Sequence, residues 1–249
     1  MSASQSEKRV LELLLEDSGR SVTDLAKLVR LSTVSVRKIL NSLAEQGHIL
    51  RIRGGAMPAF HPAILARQRH RSEEKHRIAQ AAGRLVRDGD TIMIEAGTTT
   101  ALVAKYLLGK RDVHVVTNSA LVLPYARVSP ALHLTVVAGE FRASTESFVG
   151  PMVLEALGRF HVRVAFVGTD GFSPAGGLTT HLIEGAEVVR TMAERADRVV
   201  LVADSTKWGR RGFVSVLPLA RVNAVVSDRG LAREAVRALE RARIQVTLV

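Results

Sequence analysis

The sequence predicts an α/β fold in two parts, and three observations carry that prediction. Residues 1–57 pattern as three short helices followed by a strand and a tight turn. From Ser72 onward, short apolar runs rich in Val, Ile and Ala alternate with helical patterns, the texture of a parallel sheet with crossover helices. Between the two, Pro58-Ala59-Phe60-His61-Pro62 and the basic stretch from Arg67 to Arg71 interrupt both patterns. The chain therefore divides into a small N-terminal domain at 1–57, an exposed connector at 58–71 that is open to continuation as a helix, and an α/β domain at 72–249.

In the N-terminal region, Val10, Leu11, Leu14 and Leu15 make an apolar stripe at helical spacing, ended by Ser18-Gly19. Ser21 can cap a second helix whose Leu25, Ala26 and Leu28 face inward. Ser32 can cap a third, in which Val36, Leu40 and Leu43 recur at i, i+4 and i+7 before Gly47 stops it. Ile49 to Arg53 then reads as a strand, and Gly54-Gly55 permits the chain to turn back. Three helices with a short turn between the second and third, followed by a hairpin, describe a winged helix-turn-helix.

In the larger region, the runs Thr91–Ile94, Val113–Val116, Leu134–Val137, Val164–Val167, Val199–Val202 and Ala224–Val226 are short and largely apolar, as strands covered on both faces require. Helical patterns lie at Glu73 to Val86, Ala101 to Leu108, Met152 to Leu157, Glu184 to Ala196 and Leu231 to Ala242, and Ile244 to Val249 can add a last strand. No internal repeat or low-complexity tract is present in the sequence.

Composition narrows the function classes. The formal net charge is +11, which favours a polyanionic partner, nucleic acid before membrane; from charge alone, a merely soluble cationic protein is an equal reading. With no cysteine, the chain has no disulfide, thiolate zinc site or cysteine nucleophile, and this fits a reducing cytoplasm. No apolar stretch follows the first basic residues, so no signal peptide is expected, and no apolar run approaches the roughly 20 residues of a membrane span. The eight histidines are scattered without the paired spacing of a metal site, so packed or exposed histidine is the reading and no metal is expected.

The third helix carries Thr33, Ser35, Arg37, Lys38 and Asn41 off its apolar stripe, with Ser32 at its start. A helix that reads duplex DNA needs this mixture: polar groups to reach base edges, and cations that also meet phosphates. Arg51 and Arg53 on the hairpin are placed to touch the flanking backbone. The bland alternative for any one of these residues is a solvated helix face; the combination with the wing is more specific. Leu31 to Leu43 resembles the DeoR-family helix-turn-helix signature, and Glu45-Gln46-Gly47 through Arg53-Gly54-Gly55-Ala56 resembles that family's wing. Position 39 departs from the pattern, with Ile where the family usually has Asp; lying three residues after Val36, Ile39 is expected to widen the packed stripe.

In the larger region, Glu95-Ala96-Gly97-Thr98-Thr99-Thr100 follows an apolar strand and precedes a helix, where glycine, hydroxyls and backbone N–H groups can receive an anion. Thr117-Asn118-Ser119, Gly168-Thr169-Asp170-Gly171 and Asp204-Ser205-Thr206-Lys207 also follow strands, and ligands of open α/β sheets bind at the carboxyl ends of strands. Gly176 to Thr180 adds a further polar loop. These segments, with Gly150-Pro151, resemble the ordered motifs of the DeoR-family effector domain, and the resemblance spans essentially the whole chain. It implies a fold akin to ribose-5-phosphate isomerase, a repressor of sugar-metabolism genes that binds operator DNA, a phosphorylated sugar as effector, a homodimer or homotetramer, and no cofactor. Carried over by motif, Gly97, Thr98, Thr99, Thr100 and Lys207 meet the phosphate, and Asp170, Asn118 and Glu187 meet sugar hydroxyls. Glu95, Thr117, Ser119, Gly171, Thr179, Thr180 and Asp204 complete the implied effector site. Trp208 stands where the family often has Phe or Tyr, as core or pocket wall.

Each of these residues also has a plainer reading. Lys207 can be a surface lysine, Asp170 a turn stabiliser and Glu187 a solvent-side helix charge. The rival function is an enzyme: a carboxylate, a lysine and a phosphate cradle could isomerise a sugar phosphate by proton transfer. A fused recognition helix has no use in such an enzyme, and the polar strand-end loops argue against a nucleic-acid protein that takes no small ligand.

Overall fold

The computed structural model describes residues 3–249 and divides at Arg67/Gln68 into two compact units. In the first unit, α1 (Ala3–Glu16), α2 (Val22–Val29) and α3 (Thr33–Glu45) are followed by the hairpin β1 (Ile49–Ile52) and β2 (Gly55–Pro58). Their apolar stripes converge on one core in which Leu14, Leu25, Val36, Leu40 and Leu43 are fully buried, and Ile39 packs partly buried against it. Ser21 caps α2 in a reciprocal box with Asp24, and Arg30 ends that helix in the left-handed region at φ 56°. Ile52 pairs with Gly55, so the turn residues are Arg53 and Gly54, the latter at φ 83°, and the Val22 N–H donates to the Gly54 carbonyl at 3.1 Å, tying the wing to α2.

The connector continues as a helix, α4 (Pro62–Arg69), the option left open by the sequence, but it is not wholly exposed. Pro62 suits a first helical turn, and Ile64 and Leu65 are buried, Leu65 within the first unit's core. The run of charges from Arg67 masked this apolar pair.

The second unit contains α5 (Ser72–Gly83), β3 (Thr91–Ile94), α6 (Thr100–Lys105), β4 (Val113–Thr117), α7 (Leu123–Arg127), β5 (Leu132–Val136), β6 (Glu140–Arg142), β7 (Ser147–Val149) and α8 (Pro151–Gly158). It continues with β8 (Val162–Val167), β9 (Gly171–Ser173), β10 (Gly177–Thr180), α9 (Ile183–Glu194), β11 (Ala196–Val202), β12 (Val214–Leu217), β13 (Ala224–Ser227), α10 (Arg233–Arg241) and β14 (Gln245–Leu248). Seven strands form one parallel sheet in the order β14-β13-β11-β8-β3-β4-β5. Its central strands are buried on both faces, as Val164 to Val167 show. From β3 the chain builds outward to β4 and β5, then returns to build the other half from β8. The crevice at the carboxyl ends of β3 and β8 is therefore the topological switch point of the sheet. At the opposite ends, Asp90 is buried and accepts the Arg87 N–H at 2.6 Å and the Arg163 guanidinium. Burial pushes its carboxyl up; those bonds more than reverse the effect and hold it below the usual carboxylate range. A small antiparallel sheet, β12-β10-β9, and the hairpin β6-β7 flank the carboxyl ends. Among the described residues, no helix is long and apolar enough to cross a membrane.

Candidate functional site

Two constellations stand out, one in each unit. On α3, Thr33, Arg37 and Asn41 recur at i, i+4 and i+8, beside Lys38, and all four are exposed opposite the buried Val36/Leu40/Leu43 stripe. Among the described residues, the side chains of Arg37, Lys38 and Asn41 have no intramolecular partner. Ser32 is the N-cap: its hydroxyl accepts the Ser35 N–H at 3.1 Å and shares a 2.9 Å hydrogen bond with the Ser35 hydroxyl. Arg51 and Arg53 are exposed on the wing. Val34, 60% exposed between two hydroxyl residues, offers an apolar surface of the kind that meets a thymine methyl; its place off the stripe was the available sequence signal.

In the second unit, four loops at the carboxyl edge of the parallel sheet are linked in series. Across the switch point, the Gly168 N–H donates to Glu95 Oε2 at 3.0 Å. Between the β3 and β4 loops, the Ala96 N–H donates to Asn118 Oδ1 at 3.0 Å, while Asn118 Nδ2 donates to the Phe148 carbonyl at 3.0 Å. Between the β8 and β11 loops, Lys207 Nζ lies 3.9 Å from Asp170 Oδ1, whose other oxygen accepts the Thr180 hydroxyl and the His181 N–H, each at 3.0 Å. Glu95, Thr98, Thr99, Asp170, Thr180 and Lys207 are all partly exposed at this edge.

Several residues of this set are used by the fold. Thr100 is buried and donates to the Gly97 carbonyl at 3.0 Å, and a Cβ on Gly97 would sit 2.8 Å from that hydroxyl oxygen. Thr117 donates to the Ile94 carbonyl at 2.5 Å and accepts the Ser119 N–H at 3.0 Å. Thr179 donates to the Gly171 carbonyl at 3.0 Å and accepts the Gly212 N–H at 2.8 Å. A Cβ on Gly171 would collide with the Arg210 carbonyl. Ser119 is fully buried. Glu187 lies exposed on α9 and is not drawn into the linked loops. Trp208 packs edge-on against Phe172, ring centroids 5.2 Å apart, and joins the second unit's core.

A charged cluster that the sequence reading missed supports the Lys207 loop. Asp228, at the end of β13, accepts the Ser205 N–H at 2.7 Å, the Ser205 hydroxyl at 3.0 Å, the Gly230 N–H at 2.9 Å and Arg71 Nη2 at 2.8 Å. Arg71 Nε lies 3.7 Å from Asp204, which is buried and caps the turn through the Thr206 N–H at 3.0 Å. Burial pushes the Asp228 carboxyl up; the Ser205 and Gly230 hydrogen bonds and the Arg71 charge more than reverse this, so it titrates below the usual carboxylate range. Arg71 had read as one charge of a basic run, and its partner Asp228 lies 157 positions away in sequence.

Family models match both parts: a DeoR-like helix-turn-helix domain over residues 7–59 and a DeoR C terminal sensor domain over residues 70–229. The chain belongs to the DeoR family. It is similar to the HTH-type transcriptional repressor CsqR of Escherichia coli (strain K12), 31% identical with 88% of this chain and 85% of the relative covered. It is also similar to the glycerol-3-phosphate regulon repressor of the same strain, 29% identical with 92% of each covered. A solved ribose 5-phosphate isomerase from Methanocaldococcus jannaschii aligns over 55% of this chain and 54% of that one at TM-score 0.40 and 19% identity. As a DeoR-family member the chain is a DNA-binding transcriptional regulator and not an enzyme. That assigns α3 and the wing to the DNA-binding domain, and the switch-point loops to the sensor domain.

Proposed function

We propose that this regulator is a cytoplasmic repressor of sugar-metabolism genes whose hold on its operator changes when a phosphorylated sugar enters the switch-point crevice. The observation that carries this reading is the cation–carboxylate pair Lys207–Asp170 at the carboxyl edge of the sheet, on the loops after β11 and β8, with β3 and its Gly97–Thr100 turn next in the strand order. Lys207 and the outward hydroxyls of Thr98 and Thr99 take the phosphate, where charge-assisted hydrogen bonds are strong. Asp170 and Thr180 take sugar hydroxyls. Asn118, Thr117, Thr179 and Asp204 hold the loops in place. A relative named for the glycerol-3-phosphate regulon supports a phosphorylated effector. On the DNA side, Thr33, Val34, Arg37 and Asn41 read bases, while Lys38, Arg51 and Arg53 meet phosphates. The chain acts as a homo-oligomer, because paired recognition helices on repeated half-sites gain both affinity and specificity.

The effector shifts operator binding only if it prefers one of two arrangements of the oligomer. A thermal-shift screen against sugar phosphates identifies the ligand, since saturation at about 100 times its dissociation constant stabilises the fold by roughly 2.7 kcal/mol. Operator titrations with and without that ligand then test the site. Lys207→Ala should keep operator binding and lose the response. An unchanged response in this variant removes Lys207 from the site; no binding by any sugar phosphate at millimolar concentration overturns the effector reading.

A further inference from the structure

At the amino-terminal edge of the parallel sheet, opposite the effector crevice, three donor side chains converge. His114 on β4 stands directly opposite His133 on the edge strand β5 in the parallel register. Their rings stack with centroids 4.5 Å apart and planes 20° from parallel. Asp112, just before β4, is held in the left-handed region at φ 54°, and its Oδ1 lies 3.5 Å from His114 Nε2 and 3.2 Å from His133 Nε2. All three residues are exposed, and one ligand atom from each falls within 4.8 Å of the other two.

We infer that Asp112, His114 and His133 form a surface site for a divalent transition-metal ion of the zinc type. Two donors each about 2.0–2.1 Å from a tetrahedral zinc ion are separated by about 3.3–3.4 Å, close to the 3.5 Å and 3.2 Å between Asp112 Oδ1 and the two Nε2 atoms, and the stacked rings need only turn about their Cβ–Cγ bonds to aim both lone pairs at one ion. Two imidazoles and one carboxylate form a borderline donor set that favours zinc, nickel, cobalt or copper over magnesium and calcium, which take oxygen ligands. Solvent exposure leaves the remaining coordination positions to water. The ion would clip β5 to β4 at this end of the sheet, adding to the ring stack already there. Binding requires both Nε2 atoms to be unprotonated, so each ring must carry its proton on Nδ1 in the bound state.

The test is calorimetric titration of untagged full-length protein with zinc chloride, and in parallel with magnesium chloride. Circular dichroism establishes that each variant is folded. The expected result is a saturable zinc site that Asp112→Asn, His114→Ala and His133→Ala each weaken by more than about tenfold, with no magnesium binding. Asn tolerates the left-handed backbone at position 112, so that substitution removes the charge and leaves the turn intact. Ring-nitrogen chemical shifts of His114 and His133 should move to the Nδ1–H form on zinc addition. Absence of zinc binding at 0.1 mM-scale protein concentration, on the order of a weak surface site, overturns the inference. So does zinc binding that survives unchanged in the His114→Ala/His133→Ala double variant, which would place it on other histidines.

Discussion

The two units handle their polar residues in opposite ways. On the recognition helix of the first, Arg37, Lys38 and Asn41 point to solvent and, among the described residues, engage no intramolecular partner. At the strand ends of the second, Glu95, Asn118, Thr117, Asp170, Thr179, Asp204 and Asp228 are hydrogen-bonded to loop backbone, beside the partly exposed Thr98, Thr99 and Lys207. A surface that meets a large, pre-shaped polyanion can keep its donors unpaired, because water satisfies them until DNA arrives. A crevice that must fix a small ligand needs its loops set beforehand, because ordering them on binding would consume the affinity. The difference predicts where binding and stability separate: substitutions on the exposed face of α3 should change DNA affinity alone, and substitutions beneath the effector loops should change stability first.

The sharpest test of the sensor half is Asp228→Ala. Truncation leaves the Ser205 and Gly230 N–H groups without their acceptor, while Arg71 keeps Glu74 at 3.2 Å and Asp204 at 3.7 Å, so the loss is about 2–3 kcal/mol, set by the unsatisfied loop donors. Trp208, the chain's only tryptophan, lies in the sensor core and reports that unit's unfolding by fluorescence in a denaturant titration. A loss under about 1 kcal/mol would show that the loops are not held by this cluster. The same carboxyl sets an acid limit. Because its pKa is lower in the folded state than in the unfolded chain, its contribution is fully present above about pH 4 and fades as pH falls through the folded value. Asp90 acts in the same direction. The Trp208 transition should therefore weaken below about pH 4 in the parent, and less steeply in Asp228→Ala.

These contrasts also explain what was readable from residue order. The central parallel strands were visible because a strand buried on both faces is an apolar run of residues such as Val, Ile and Ala with no competing signal, as in Val164 to Val167. The β6-β7 hairpin and the β9-β10-β12 sheet escaped because their strands run only three or four residues, too short for a periodic signal, and β9 and β10 are mostly Gly, Ser and Thr, which also compose loops. The strand-end loops were visible as places. The individual tasks were not: Thr98 and Thr100 are the same residue type, yet one is partly exposed and the other is buried and closes the turn on Gly97. Arg71, Asp228 and the His114–His133 pair escaped because their partners are set by strand order and register, which no local window contains.

On the reader half, Arg37→Ala sharpens the comparison from the other side. If Arg37 contacts a base edge, operator affinity falls by about 1–3 kcal/mol, or roughly 5- to 150-fold, while the unfolding midpoint stays where it was. An equal loss on all sequences, with a shallower dependence on salt, would move Arg37 from bases to phosphates. A fall in stability of more than about 0.5 kcal/mol would break the comparison itself, since an exposed side chain without a partner should not support the fold.

Ser32 tests the boundary between the two behaviours, with the smallest expected effect. Sequence placed it on the DNA-facing set, but its hydroxyl is engaged as the cap of α3, accepting the Ser35 N–H at 3.1 Å. Ser32→Ala should cost about 1 kcal/mol of stability, the usual worth of an N-cap, and should weaken operator binding only as far as the first turn of α3 frays. Ser32→Asn separates cap from contact, because Asn caps as well as Ser while displacing the hydroxyl. If capping is the whole role, Ser32→Asn restores both stability and operator affinity in parallel denaturation and anisotropy titrations. If stability returns and affinity does not, the Ser32 hydroxyl touches DNA directly, and the first turn of α3 is the one place in the first unit where a single group serves fold and recognition together.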